Sequence, residues 1–219
     1  MKPPFEAILW DNDGVLVDTE HIYFKTTRRV LAEIGVELDL EGYQRLFLSA
    51  SGGAWHLARE LGYDDARVNL LRQRRNDLYM EALEEADFEI PGAREVLESL
   101  HPQYRMAVVT SSRRAPFEAI HRKTGFMRYF EFALVREDYE RSKPDPEPYL
   151  TAAQRLGVPA NECLVIEDSE RGLRAAKAAG MSCWVIPTDL TSAGDLTEAD
   201  QTLSDVSDVP ARLARLTPT

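Results

Sequence analysis

Cysteine is scarce in this chain: Cys163 and Cys183 are the only two among 219 residues. Both stand in apolar stretches, which predicts buried free thiols in a reducing compartment and excludes a disulfide framework. The four histidines, His21, His56, His101 and His121, fall at no motif spacing, so they are assigned no catalytic role and a Cys/His metal site is excluded. Positive charge is in the minority, with 26 Lys and Arg against 37 Asp and Glu and a net charge of −11. Such a surface repels a nucleic-acid backbone, and the one dense basic run, "RQRR" at 72–75, reads as a solvated helix face. No uninterrupted apolar run approaches the ~20 residues of a membrane span. The opening "MKPPFEAILW" also lacks a basic region followed by an apolar stretch. The expectation is a soluble, cytoplasmic monomer with neither nucleic-acid nor membrane partners.

What is present is alternation. Short β-rich segments, "FEAILW" at 5–10, "RMAVVT" at 105–110, "FALV" at 132–135, "CLVIE" at 163–167 and "SCWVI" at 182–186, are separated by helical patterns. That order predicts an α/β fold, a three-layer Rossmann-like parallel sheet covered by helices. The gap between the first two strands is far longer than one crossover needs. Apolar residues recur in it at helical spacing, in "HIYFKTTRRVLAEIG" and "ARVNLLRQRRNDLYMEALEE". Residues 18–86 are therefore expected to be an inserted helical domain, and residues 1–17 and 87–219 the sheet-bearing core. Pro91 and Gly92 open the helix that leads back to the sheet.

Ligands of open α/β sheets bind at the carboxyl ends of the strands. Four polar clusters fall there: Asp11 and Asp13 after the first strand, Thr110, Ser111 and Ser112 after the second, Lys143 after the third, and Glu167 and Asp168 after the fourth. Four carboxylates converging with one lysine are destabilising unless a cation sits among them, so the arrangement implies a metal and an anionic substrate. Gly14 lets the backbone turn closely past this cluster. Taken singly, each cluster has a plainer explanation: a strand-end turn for Asp11 and Asp13, a helix cap for Thr110 and Ser111, an exposed loop lysine for Lys143. Together they would have to coincide at successive strand ends. Ser169 is expected to cap the helix that follows it.

The segments "DNDGVLVDTE", "VVTSS", "KPDPEPY" and "VIEDSERGLRAAKAAG", in this order and spacing, resemble the four motifs of the haloacid dehalogenase superfamily of phosphohydrolases. The insertion point further resembles the subgroup with a helical cap, which includes β-phosphoglucomutase-like and phosphoglycolate-phosphatase-like proteins. The resemblance implies a Mg²⁺-dependent phosphatase acting on a small phosphate ester, a sugar or polyol phosphate, through an aspartyl phosphate. It implies that Asp11 is the nucleophile and Asp13 the general acid and base. Mg²⁺ would be held by the Asp11 carboxylate, the Asp13 backbone carbonyl and Asp168, with Glu167 an outer or auxiliary ligand. Lys143, Thr110 and the amide of Ser111 would bind the phosphoryl oxygens. Asp18 would anchor the linker into the cap, where Glu20 and Tyr23 are candidate substrate contacts and Trp55 reads as bundle core.

Asn12 departs from the apolar residue usual between the two aspartates; in an extended segment it points away from both, and a buried amide there needs partners. A haloacid dehalogenase proper needs neither Asp13 nor Asp168, and a receiver domain has no capping insert. The alternative is a β-phosphoglucomutase-like mutase. That pattern has a cap histidine where this chain has Tyr23 and a cap arginine where it has Ser51, Gly52 and Gly53.

Overall fold

A computed structural model describes residues 4–49 and 53–216 of the chain. Ser51 and Gly52, on which part of the case against a mutase rests, lie outside the described residues. The chain divides into two compact units, one of residues 1–18 and 89–219 and the other of residues 19–88.

The first unit carries a six-stranded, wholly parallel sheet. Its strands are β1 (Ala7–Trp10), β2 (Arg105–Val109), β3 (Phe132–Leu134), β4 (Cys163–Glu167), β5 (Ser182–Val185) and β6 (Gln201–Thr202), in the order β3-β2-β1-β4-β5-β6. The central strand, "AILW", is buried throughout, as expected of a strand covered on both faces. Alternation along the strands separates two layers. Ala7, Leu9, Ala107, Val109, Cys163, Val165, Cys183 and Val185 share one apolar cluster with Tyr149 and Leu173. Ile8, Trp10, Met106, Val108, Leu164, Ile166 and Trp184 are buried on the other face. β6 was missing from the sequence reading because two residues, one exposed, carry no periodic signal.

The second unit contains α1 (Glu20–Ala32), α2 (Leu40–Tyr43) running on into a π-helical turn (Gln44–Ser49), α3 (Trp55–Glu60) and α4 (Asp65–Glu85). Asp39 and Asp64 start α2 and α4 by accepting from the amides of Gly42 and Arg67. Val30, Leu31, Leu38, Tyr43, Trp55 and Val68 form its core. One sequence expectation needs correcting. Arg74 of "RQRR" is exposed and pairs with Glu33, but Arg75 is buried, its guanidinium 4.2 Å from the centre of the Tyr23 ring and 5.5 Å from that of Trp55. The aromatic faces and the Thr27 hydroxyl, 3.3 Å from Nη1, replace part of the hydration that a buried guanidinium loses.

Around the sheet lie α5 (Ala93–Leu100), α6 (Arg114–Thr124), α7 (Glu147–Leu156), α8 (Glu170–Ala178) and α9 (Asp208–Leu216). α7 packs on β1 and β2, α8 on β4 and β5, and α5 against α9. Gly92, at φ +83°, opens α5 after Pro91. Both cysteines are buried and unbonded to each other, and burial pushes the Cys163 thiol up to about 11. Among the described residues no helix is long and apolar enough to cross a membrane.

Candidate active site

The end of β1 is held between its neighbours by the sheet ladder itself. The amide of Asp11 donates to Ile166 at 2.9 Å, and that of Thr110, at the end of β2, donates to Leu134 at 2.9 Å. Because side chains alternate, Asp11 and Glu167 share the face that carries α7 and α8, whereas Asn12 is turned to the other. Lys143 enters between the two carboxylates. Its ammonium lies 2.6 Å from Asp11 Oδ1, 2.7 Å from Glu167 Oε1 and 2.9 Å from the carbonyl of Val109, so all three of its protons have acceptors. It stands in the turn before α7 but is 3% exposed, and is therefore not an exposed loop lysine.

Glu167 is as fully engaged. Oε1 also accepts from the Tyr149 hydroxyl at 2.8 Å, and Oε2 accepts from the amides of Asp168 and Ser169 and from the Ser169 hydroxyl at 3.0–3.2 Å. Gly172 makes room for it, since a Cβ there would collide with the Glu167 carboxylate. Ser169 also caps α8, accepting from the amide of Gly172.

These contacts set the ionisation of the cluster. Burial would push Glu167 up, but the charge of Lys143 and the donated hydrogen bonds outweigh it and hold the carboxyl below its usual range. Burial of Lys143 is likewise outweighed by Asp11 and Glu167, which raise it further above its ordinary value. Asp11 goes the other way: burial drives it from 3.8 to about 8, the pull of Lys143 being opposed by Glu167 and Asp13. Burial thus opposes the ionised form of Asp11, and a further positive charge beside it would favour that form.

The donor set fits such a charge. Ligand oxygens of Asp11, Glu167 and Asp168 lie within 4.8 Å of one another, and all are hard carboxylate donors. Gly14, at φ +82°, is required here because a Cβ would run into the Asp168 carboxylate. With both oxygens of Glu167 engaged, the carboxylates of Asp11 and Asp168 are the donors suited to direct ligation, and Glu167 stands behind them.

Asp13 lies at the rim, half-buried, its Oδ2 accepting from the Ser112 hydroxyl at 2.7 Å and from Asn12 Nδ2 at 3.3 Å; Asn12 therefore does not point away from Asp13 as an extended segment predicts, because the chain has left the strand and turns here. The hydroxyls after β2 do not cap α6: Arg113 at the cap position makes no side-chain cap bond, and the amide of Arg114 donates to Glu137 at 3.0 Å. Thr110 Oγ1 instead accepts from the amide of Ser112 at 3.0 Å, and the buried Ser111 hydroxyl has no hydrogen-bond partner among the described residues. A buried hydroxyl at this strand end suits an incoming oxyanion. Glu20 and Tyr23 belong to the other unit. Glu20 accepts from the Tyr43 hydroxyl, and Tyr23 packs edge-on to Tyr79 and Phe47 beneath Arg75. Asp18 is exposed.

Sequence reasoning passed over Tyr149, Ser112 and His121. Tyr149 stands in "KPDPEPY" six residues past Lys143, where nothing local to the sequence aims it at Glu167. Ser112 was noted without a role. His121, 109 positions from Asn12 along the chain, had no local signal at all.

A family model described as haloacid dehalogenase-like hydrolase matches residues 5–180. The fructose-1-phosphate phosphatase YqaB of Escherichia coli (strain K12) is 31% identical over 184 residues, covering 83% of this chain and 96% of that protein. The phosphorylated carbohydrates phosphatase of Thermotoga maritima is 32% identical over 182 residues, covering 80% and 82%. Among solved structures, CbbY from Rhodobacter sphaeroides in complex with phosphate superposes with a TM-score of 0.79 at 26% identity, covering 94% of this chain and 96% of that one.

Proposed function

Because the chain belongs to the haloacid dehalogenase-like hydrolase family, we propose that it is a cytoplasmic, monomeric, Mg²⁺-dependent phosphatase that hydrolyses a small sugar or polyol phosphate through an aspartyl phosphate on Asp11. The observation that carries the reading is the buried bridge of Lys143 from Asp11, 2.6 Å away, to Glu167, 2.7 Å away, beside Asp168. The substrate class follows the relatives named for phosphorylated carbohydrates and fructose 1-phosphate.

In the first half-reaction Asp11 Oδ2 bonds to phosphorus as the ester P–O bond breaks, and Asp13 delivers a proton to the departing oxygen. Lys143 orients Asp11 through Oδ1. Thr110 and Ser111 bind the phosphoryl oxygens. In the second half Asp13 takes a proton from water, whose oxygen attacks phosphorus; inorganic phosphate leaves and the Asp11 carboxylate returns. Asp11, the Asp13 carbonyl and Asp168 would hold Mg²⁺, which would supply the charge that lets an anionic nucleophile approach an anionic phosphate. The helical unit of residues 19–88, inserted after Asp18, is in this reading the cap that selects the leaving group, with Glu20 and Tyr23 as substrate contacts.

The test is phosphate release from a panel of sugar phosphates, phosphoglycolate, nucleotides and pyrophosphate, with Mg²⁺ and with chelator. Release confined to Mg²⁺ and fastest on the sugar or polyol esters is expected. β-Glucose 1-phosphate with a catalytic amount of the 1,6-bisphosphate serves as the mutase control: glucose 6-phosphate forming faster than free phosphate would replace hydrolase with mutase.

A further inference from the structure

Asn12 is fully buried, and its partners form a chain. The amide of Phe126 donates to Thr124 Oγ1 at 3.2 Å, Thr124 Oγ1 lies 3.1 Å from His121 Nδ1, His121 Nε2 lies 2.9 Å from Asn12 Oδ1, and Asn12 Nδ2 reaches Asp13 Oδ2 at 3.3 Å. The ends determine the direction of every link. Asp13 Oδ2 needs a donor, so the Asn12 amide turns its NH₂ there and its oxygen toward His121; Nε2 must then carry the hydrogen, and Nδ1 accepts the Thr124 proton. Burial pushes His121 down to about 4, in keeping with a neutral ring holding one hydrogen.

We propose that Asn12, His121 and Thr124 are positioning residues, a one-way hydrogen-bond relay from the amide of Phe126 that fixes the orientation of the Asp13 carboxylate. The relay acts with the Ser112 hydroxyl, 2.7 Å from the same Oδ2. An oxygen that already accepts two hydrogen bonds is a poor place for a proton, so the relay and Ser112 together keep Oδ2 an acceptor and hold the plane of the carboxylate. The inference rests on the general acid and base role proposed for Asp13. Asn12 itself touches no substrate in it.

The test measures the first chemical step, aspartyl-phosphate formation, on the full chain with Mg²⁺, comparing p-nitrophenyl phosphate with an alkyl ester such as fructose 1-phosphate. Asn12→Leu and His121→Phe should slow this step about tenfold or more for the alkyl ester, with little change in the ester concentration that half-saturates it, and barely affect it for the nitrophenyl ester, which needs no acid. His121→Gln, which keeps an N–H toward Asn12, should restore most of the loss. In an Asp13→Asn background Asn12→Leu should cost nothing further. Equal slowing of both esters, no slowing of either, or an undiminished loss in the double variant would overturn the relay. If Asp13→Asn itself fails to discriminate between the esters, the acid role falls and the relay with it; if Asp13→Asn discriminates and Asn12→Leu does not, only the relay falls. Nitrogen NMR of the labelled unsubstituted protein supplies a readout independent of any variant's folding: His121 should be the Nε2–H tautomer, and the Nδ1–H tautomer would overturn the direction of the chain.

Discussion

Glu167 holds Lys143 from behind at 2.7 Å while Lys143 holds Asp11 at 2.6 Å in front, so the carboxylate that orients the lysine is separate from the one that would attack phosphorus. Glu167→Gln and Asp168→Asn should accordingly differ. The first leaves Lys143 short of one buried counter-charge and should lower stability by about 3–5 kcal/mol, with Mg²⁺ affinity nearly kept. The second should weaken Mg²⁺ binding at least tenfold with a smaller thermal effect. Thermal denaturation and Mg²⁺ titration calorimetry on the two variants check the contrast.

Asp11→Asn should abolish turnover and leave the fold intact. The sign of its effect on stability follows from the raised carboxyl. A folded-state value of about 8 against 3.8 means that the metal-free folded chain binds the extra proton across that window, so Asp11 makes stability fall as pH rises from about 4 to 8. Removing the charge should flatten that fall and raise the melting temperature in chelator at pH 8. Mg²⁺ should stabilise the native sequence more than the variant. Melting curves at pH 5 and pH 8, with and without Mg²⁺, give all four comparisons.

Lys143→Arg should not substitute. The three acceptors around the ammonium, Asp11, Glu167 and the Val109 carbonyl, converge at 2.6–2.9 Å on one compact, 3% exposed centre, whereas a planar guanidinium presents its donors as a fork. A loss of at least 100-fold in kcat/KM is expected, on the scale of removing an electrostatic donor from a transition state. Steady-state kinetics on the preferred ester decide it.

Arg75→Met tests the buried cation of the helical unit. Loss of its stacking on Tyr23 and Trp55 should cost about 0.5–2 kcal/mol, while Arg74→Met, losing an exposed pair with Glu33, should cost less than about 1 kcal/mol. Chemical denaturation of both variants ranks them.

Much of the scaffold was legible because its signals are local. The five apolar segments bounded by turn residues became β1 to β5, since burial on both faces of a parallel sheet demands continuous hydrophobic runs. Asp11, Asp13, Thr110, Glu167 and Asp168 could be named as candidates because each stands at or just past a strand end, and Lys143 because it falls in the connection after β3, positions that the chain's own punctuation marks. Side chains that meet only through packing left no such trace. Arg75 looked like any solvated arginine until α4 laid it against Tyr23, and Glu167 could be placed near the metal site as an outer or auxiliary ligand without any sign that Lys143, Tyr149 and Ser169 would meet its two oxygens. Asn12 could be read from sequence as a buried amide needing partners. Only the tertiary structure supplied His121, because a hydrogen bond between residues 109 apart in the chain depends on where α6 crosses the sheet, and no periodicity encodes that.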